Sequence, residues 1–383
     1  MFKIALSIPG WLRNILTPLI AALVFACGAS GVAPTGIGRP VLKIAVSGRV
    51  ERGLSVRVAL LDGPDTIPSE EVTWNSAPSD SVRYSPNGVA AFGKSGQVRL
   101  WARARGDSTS LTLDVARPPT IVYDLERDGV KAIYRSALDG RDTLKLTADA
   151  GTDETPTAVG SQVIFTSYRT GHAELYAMTL TGGPQRRITV SAGNKTDPSL
   201  SPDARRLVFT NDAAGVPKVW TSAPDGSDAH AVSQGSSDAL EIEASPSWNP
   251  TSDKVVYMST ASGTALLFEI GIPPTSTAQA LNTGSPPAFQ PAWSPDGRFI
   301  AFSSTRNETT CLYLLDSSSG AVRQLTEGSS VDVEPSWVPD GRLVYVSRDG
   351  SNVHMKWLDP AAPLAVHTID IGGGSPEHPS PVR

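Results

Sequence analysis

The sequence predicts an all-β protein: a small β-sandwich followed by a six-bladed β-propeller. Three observations carry this. A proline-centred unit recurs six times at nearly constant spacing in the C-terminal two-thirds of the chain. Apolar and polar residues alternate with a period of two through much of residues 41–116. Long amphipathic helical patterns are absent after the first 30 residues.

Composition agrees. With 383 residues, 40% of them hydrophobic, the chain can bury large cores. The 34 Gly and 31 Pro are spread along the chain, as many short strands joined by many turns require. Only 19% of residues are charged and the net charge is -5, with no basic stripe, which excludes a nucleic-acid footprint.

Residues 1–27 read as a secretory leader. Lys3 and Arg13 precede an apolar run of 12 residues, Ile15 to Ala26, too short to span a bilayer as a helix. The run ends at Leu23-Val24-Phe25-Ala26-Cys27, which resembles a bacterial lipobox and implies a lipid anchor on Cys27. Acyl chains there would hold the protein to a membrane at about 0.8 kcal/mol per buried methylene. The alternative is an ordinary secretory signal in which Cys27 falls by chance. Gly28 follows the cysteine, and the lipoprotein resemblance then implies the outer membrane, facing the periplasm or the cell surface. Residues 28–40 form a small-residue tether. Cys311, the second of two cysteines, has no partner once Cys27 is acylated. Within Cys311-Leu312-Tyr313-Leu314-Leu315 it reads as a small buried hydrophobe, the alternative being a reactive thiol.

Residues 41–116 alternate at Leu42, Ile44 and Val46, at Val56, Val58 and Leu60, and at Leu111, Leu113 and Val115. About seven short strands in this length make a small sandwich. Val72-Thr73-Trp74-Asn75-Ser76, Asn87-Gly88-Val89 and Gly96-Gln97-Val98-Arg99-Leu100-Trp101-Ala102 resemble the strand order of bacterial Ig-like domains of the Big2 type. The resemblance implies a spacer or adhesion module with Trp74 in its core. Ala116-Arg117-Pro118-Pro119 breaks the pattern.

Residues 120–383 carry the repeats. The leading prolines are Pro156, Pro198, Pro246, Pro291, Pro335 and Pro379, spaced 42, 48, 45, 44 and 44 residues apart. Such a period is one four-stranded propeller blade. After each proline unit comes an apolar strand, such as Val163 to Ser167 or Phe299 to Ser304. A second strand follows, such as Glu174 to Met178 or Leu312 to Leu315. A polar turn then leads to an outer strand, such as Arg186 to Thr189 or Arg323 to Thr326. Asp-Gly pairs supply the positive φ of tight hairpins. Blade one has only three local strands, at Ile121 to Leu125, Ala132 to Ala137 and Leu144 to Thr147. Its innermost strand is expected from His378 to Arg383 at the other end of the chain, closing the ring.

The run Gln290-Pro291-Ala292-Trp293-Ser294-Pro295-Asp296-Gly297 and its five relatives resemble the PD40 repeat of TolB-like propellers over about 260 residues. Leu200 stands where other units carry Trp, and the last unit lacks the Trp. The resemblance implies a propeller that docks an envelope protein or peptide, as TolB docks a peptidoglycan-associated lipoprotein. TolB carries an α/β domain before its propeller, so the Ig-like segment here argues against a true TolB. Related propellers gate serine peptidases, but the sequence holds no Gly-x-Ser-x-Gly elbow and the ring closes at the chain end. The five histidines fall in different units without zinc-ligand spacing. Gly372-Gly373-Gly374 reads as a blade connection rather than a phosphate loop.

One cluster is a candidate site. Asp153, Glu154, Asp197, Glu243, Asp332, Glu334 and Glu377 stand just before the repeat prolines, with Lys195 and His378 as basic exceptions. Six-fold convergence could gather them into an acidic funnel for calcium or for a basic partner segment. The alternative is a solvated polar rim. The expected function is a non-enzymatic, lipid-anchored cell-envelope scaffold that binds a protein or peptide. The alternatives are a glycan lyase or hydrolase, which would need paired carboxylates or a His base in the mouth, and a structural or adhesion protein.

Overall fold

The computed structural model describes residues 42–383, except 149–150, 233–240 and 275–276. The leader, Cys27 and the tether lie outside the described residues. Everything described is strand, turn and loop, apart from one 3-10 turn at Ser69–Glu71.

Residues 42–115 form eight strands: β1 (Leu42–Ser47), β2 (Ser55–Asp62), β3 (Asp65–Ile67), β4 (Thr73–Ala77), β5 (Val82–Ser85), β6 (Val89–Phe92), β7 (Gly96–Ala104) and β8 (Asp107–Val115). One sheet runs β1-β2-β6-β5 with β3 on β2, and the other runs β4-β7-β8. The alternation of β2 turns Val56, Val58 and Leu60 inward. Val56, Val58 and Phe92 of the first sheet share a core with Val98, Leu100 and Val115 of the second. Trp74 is half-buried at its side, stacked on Tyr84 with ring centroids 5.6 Å apart.

The described residues from 120 onwards form six four-stranded sheets. Blade one holds β9 (Thr120–Arg127), β10 (Val130–Ala137) and β11 (Leu144–Lys145). Blade two holds β12 (Asp153–Val159), β13 (Gln162–Ser167), β14 (Glu174–Thr179) and β15 (Gly182–Arg187). Blade three holds β16 (Lys195–Leu200), β17 (Leu207–Asn211), β18 (Lys218–Ser222) and β19 (His230–Ala231). Blade four holds β20 (Glu243–Trp248), β21 (Lys254–Ser259), β22 (Leu266–Gly271) and β23 (Gln279–Ala280). Blade five holds β24 (Phe289–Trp293), β25 (Phe299–Asn307), β26 (Thr309–Asp316) and β27 (Val322–Gln324). Blade six holds β28 (Val331–Trp337), β29 (Leu343–Asp349), β30 (Asn352–Asp359) and β31 (Ala362–Thr368). β32 (Ser375–Pro381) pairs antiparallel with β9 as the innermost strand of blade one. The ring therefore closes through the chain end as the sequence predicts, with the closing strand at Ser375–Pro381 rather than at His378 to Arg383. The outer strand expected at Arg186 to Thr189 runs instead from Gly182 to Arg187, with Ile188 N still bonded to Leu175 O.

Each second strand is a nearly unbroken apolar run because a neighbouring blade covers each face. Val163, Ile164 and Phe165 are all fully buried. Cys311, on β26 of blade five, is buried in one apolar cluster with Trp293 and Phe302. The repeat motif has two structural duties. The Ser-Pro-Asp-Gly segment ties its own turn: Ser294 Oγ bonds Asp296 Oδ1 at 2.6 Å and accepts Phe299 N at 2.9 Å. The Trp reaches the preceding blade: Trp248 Nε1 donates to Ser199 O at 3.0 Å and Trp337 Nε1 to Ala292 O at 2.9 Å.

Candidate functional site

Every innermost strand carries the same irregularity. The pairing register slips by one residue at the repeat proline, between Glu154 and Thr157 in blade two and between Glu377 and Ser380 in blade one. Blades three to six show it as well. This is a β-bulge, which re-aims a side chain. The residue before the proline takes left-handed backbone each time: Thr155 (φ 49°), Asp197 (50°), Ser245 (52°), Gln290 (51°), Glu334 (57°) and His378 (49°). Outside glycine this conformation costs about 1–2 kcal/mol per residue, and it persists where surrounding contacts enforce it.

Those six residues ring one end of the central cavity, of about 210 Å³. Thr157, Ser199, Ser247, Ala292, Ser336 and Ser380, one residue past each proline, line it as well. The first ring is held by a repeated bond to the neighbouring strand. Thr155 Oγ1 meets Thr166 Oγ1 at 2.7 Å, Thr210 Oγ1 donates to Asp197 at 3.2 Å, and Ser303 Oγ donates to Gln290 Oε1 at 3.0 Å. In blade one the same position pairs His378 Nδ1 with Asp124 Oδ1 at 2.7 Å. Adjacent blades are linked too, with Glu334 N on Gln290 Oε1 at 3.2 Å and His378 N on Glu334 Oε2 at 2.7 Å.

The seven carboxylates named from sequence do not converge on one funnel. The strand pleat and the bulge sort them by their offset from the proline. Asp153, Glu243 and Asp332, three residues before it, are buried inside the ring wall. Arg169 holds Asp153 at 2.9 Å, Val219 N donates to Glu243 at 3.0 Å, and Ser330 donates to Asp332 at 3.2 Å. Lys195, at the same offset, is buried 3.4 Å from Glu174 of the preceding blade. Asp197 and Glu334 sit in the ring itself. Glu154 and Glu377, two residues before the proline, flank Lys131 at 3.7 and 2.7 Å.

The structure therefore gathers one mixed-charge cluster at the junction of blades one and six. Glu377 takes Lys131 Nζ at 2.7 Å and Arg348 Nη2 at 2.8 Å. Burial alone would raise the Glu377 pKa, but those two hydrogen bonds outweigh it and hold it below the usual carboxylate range. Burial likewise opposes the charge on Lys131, while Glu377, Asp124 and Glu154 raise its pKa. Burial would lower the His378 pKa. The bond to Asp124, with the charges of Asp124, Glu334 and Asp197, pushes it up to about 10. His378 is thus a cation at neutral pH.

Asp124 and Lys131 are the residues that sequence reasoning missed. A signal existed: aligning Ile121 to Leu125 on Val163 to Ser167 puts Asp124 where blade two has Thr166. Asp124, Glu377 and His378 can bring ligand atoms within 4.8 Å of one another, a geometry open to a metal ion. Calcium prefers six to eight oxygens, whereas this group includes a protonated imidazole and has Lys131 against Glu377.

The TolB beta propeller domain family, PD40, matches residues 118–284 and 238–355. A TolB homolog from Protochlamydia amoebophila (strain UWE25) is 26% identical over 235 residues, covering 57% of this chain and 50% of that protein. A TolB homolog from Chlorobium luteolum is 27% identical over 223 residues, covering 56% of this chain and 49% of that protein. The chain spans about half the length of these curated relatives. Among solved structures, TolB from Acinetobacter baumannii superposes with a TM-score of 0.64 at 15% identity, covering 82% of this chain and 83% of that one. A chain of the nidogen/laminin complex reaches 0.54 at 11% identity, covering 68% of this chain and 97% of that one. At such identities the structural likeness speaks for the fold alone.

Proposed function

The chain belongs to the TolB β-propeller family, and from that membership we propose a non-enzymatic scaffold of the cell envelope that docks a protein or peptide segment at the channel mouth. The observation that carries this reading is the first ring. Six equivalent backbone positions present six different side chains: Thr155, Asp197, Ser245, Gln290, Glu334 and His378. A ring that varies in this way suits an irregular polar segment better than a single symmetric ion. A lipid anchor at Cys27 would place the propeller at a membrane, and the unit of residues 42–115 would serve as an Ig-like spacer beneath it. No helix among the described residues is long and apolar enough to cross a membrane.

The test is a pull-down from detergent-solubilised envelopes with the wild-type chain and the double variant Asp197→Ala/His378→Ala. The expected result is a protein retained by the wild type and lost from the variant. Recovery of the same proteins by both would overturn the reading.

A second reading has one observation in its favour. His378 held by buried Asp124 is a pairing that enzymes use to orient an imidazole, so a glycan lyase or hydrolase remains the alternative. Against it, a histidine with its pKa near 10 is already protonated at neutral pH and is a poor general base. Glycan cleavage abolished by His378→Gln would establish this reading.

A further inference from the structure

The ring has one seam. Five blades are built from consecutive strands, but blade one borrows β32 from the far end of the propeller. Blade six runs on through the chain into β32, so the circle is shut by non-covalent contacts inside blade one, where β32 lies on β9. At the channel mouth, Glu377 pins this seam by holding Lys131 of blade one and Arg348 of blade six.

At the opposite ends of the same strands sits the 42–115 unit. Lys131 lies near the start of β10, and Asp139 lies just past its end. Arg342 immediately precedes β29, and Arg348 lies near its end. Glu51 meets Arg342 with two bonds, Nη1 to Oε1 at 3.0 Å and Nη2 to Oε2 at 2.9 Å. Arg342 is 1% exposed and Glu51 4%. The guanidinium also bonds Asp340 and lies 4.9 Å from the centre of the Trp357 ring. The next residue, Arg52, turns the other way. It bonds Asp139 at 2.9 and 3.2 Å and Asp142 at 2.8 Å, in the loop after β10. Gly53 permits this approach, because a Cβ there would stand 2.7 Å from Asp139 Cβ. Leu54 then packs against the apolar cluster that joins Tyr123 and Leu138 of blade one to Val344 and Trp357 of blade six. The other buried clusters among the described residues each lie wholly within the 42–115 unit or wholly within the propeller.

We propose that the N-terminal unit is the clasp of the ring. Adjacent residues of one turn grip the chain on either side of the seam, Glu51 on blade six, which runs on into β32, and Arg52 on the loop after β10, which follows β9. Cutting either grip loosens β32 from its place before it loosens the other blades. A buried carboxylate and guanidinium that face each other are costly to separate, since each is left without a counter-charge. The inference does not depend on what the channel mouth binds.

Hydrogen exchange of the full-length chain, read by mass spectrometry at neutral pH, tests it. Glu51→Gln and Arg52→Gln each cut one grip. Glu269→Gln cuts the Lys254–Glu269 pair on blade four and is the reference. Both grip variants should speed exchange in β32 and β9 at least tenfold relative to β21 and β25, and the reference variant should not. Arg52→Gln removes a less buried side chain, so it remains informative if Glu51→Gln fails to fold. Acceleration confined to residues 42–115, or spread evenly over all six blades, would overturn the proposal.

Discussion

His378 Nδ1 lies 2.7 Å from Asp124 Oδ1, although 254 positions of chain separate the two residues. Their contact is the blade-one form of a bond that Thr155, Asp197 and Gln290 make to hydroxyls in their own blades. Replacing hydroxyl partners by an acid and a base turns one sixth of a repeated frame into an ion pair, and it does so at the closing strand.

That pair makes stability depend on pH. The histidine titrates near 6.5 when unpaired and at about 10 in the folded chain. A folded value above the unfolded one means that the contribution is complete below about pH 6.5 and is lost as pH climbs towards 10. The Tm gap between wild type and His378→Gln should be widest at pH 6 and shrink steadily up to pH 10. A gap that stays constant over this range would show that Asp124 does not hold the proton on His378.

The repeat tryptophans should not be equal. Trp248→Phe breaks the bond to Ser199 O and should cost about 1–2 kcal/mol in urea unfolding, the value of a buried hydrogen bond plus some packing. Trp293 Nε1 is buried with no hydrogen-bond partner, so Trp293→Phe removes an unsatisfied donor and should cost less than about 1 kcal/mol. Equal losses would show that ring packing, not the cross-blade bond, fixes tryptophan in the motif.

Gly226 has φ 88°, and a Cβ on it would stand 1.7 Å from Ile188 O in the preceding blade. Gly160 also has positive φ (58°), but a Cβ there meets nothing within 4 Å. Gly226→Ala should therefore destabilise by more than about 2 kcal/mol, and Gly160→Ala by about 1 kcal/mol. Thermal unfolding of the two variants side by side checks this. Similar losses would mean that backbone conformation alone, without the close approach, explains Gly226.

Calcium should not stabilise the protein. The carboxylates at the blade-one junction already face Lys131, Arg348 and His378. Titration to about 5 mM calcium should leave Tm unchanged, because only an ion that binds the folded state raises it. A rise that saturates with calcium, and is lost in Glu377→Gln, would establish a cation site in the mouth.

The sequence by itself determined the order of the propeller strands, though not every boundary, together with the number of blades and the closure of the ring. These are written in short-range signals: the proline spacing, the apolar runs that a two-sided burial demands, and the turn residues. Pro379 could be matched to its five relatives because a repeat shows its own register. The site was another matter. Asp153, Glu154 and Thr155 are consecutive, yet Asp153 is buried in the wall, Glu154 lies at the rim and Thr155 lines the cavity. A strand sends neighbouring side chains to opposite faces, and a bulge resets that alternation by one residue. Only the folded backbone shows where the reset falls. The tertiary structure also decided the partners. Asp124 meets His378, and Glu51 meets Arg342, across 254 and 291 positions. Such pairs leave no local pattern, because ring closure makes the first and the packing of the 42–115 unit on the propeller makes the second, and their chemistry is legible only once they touch.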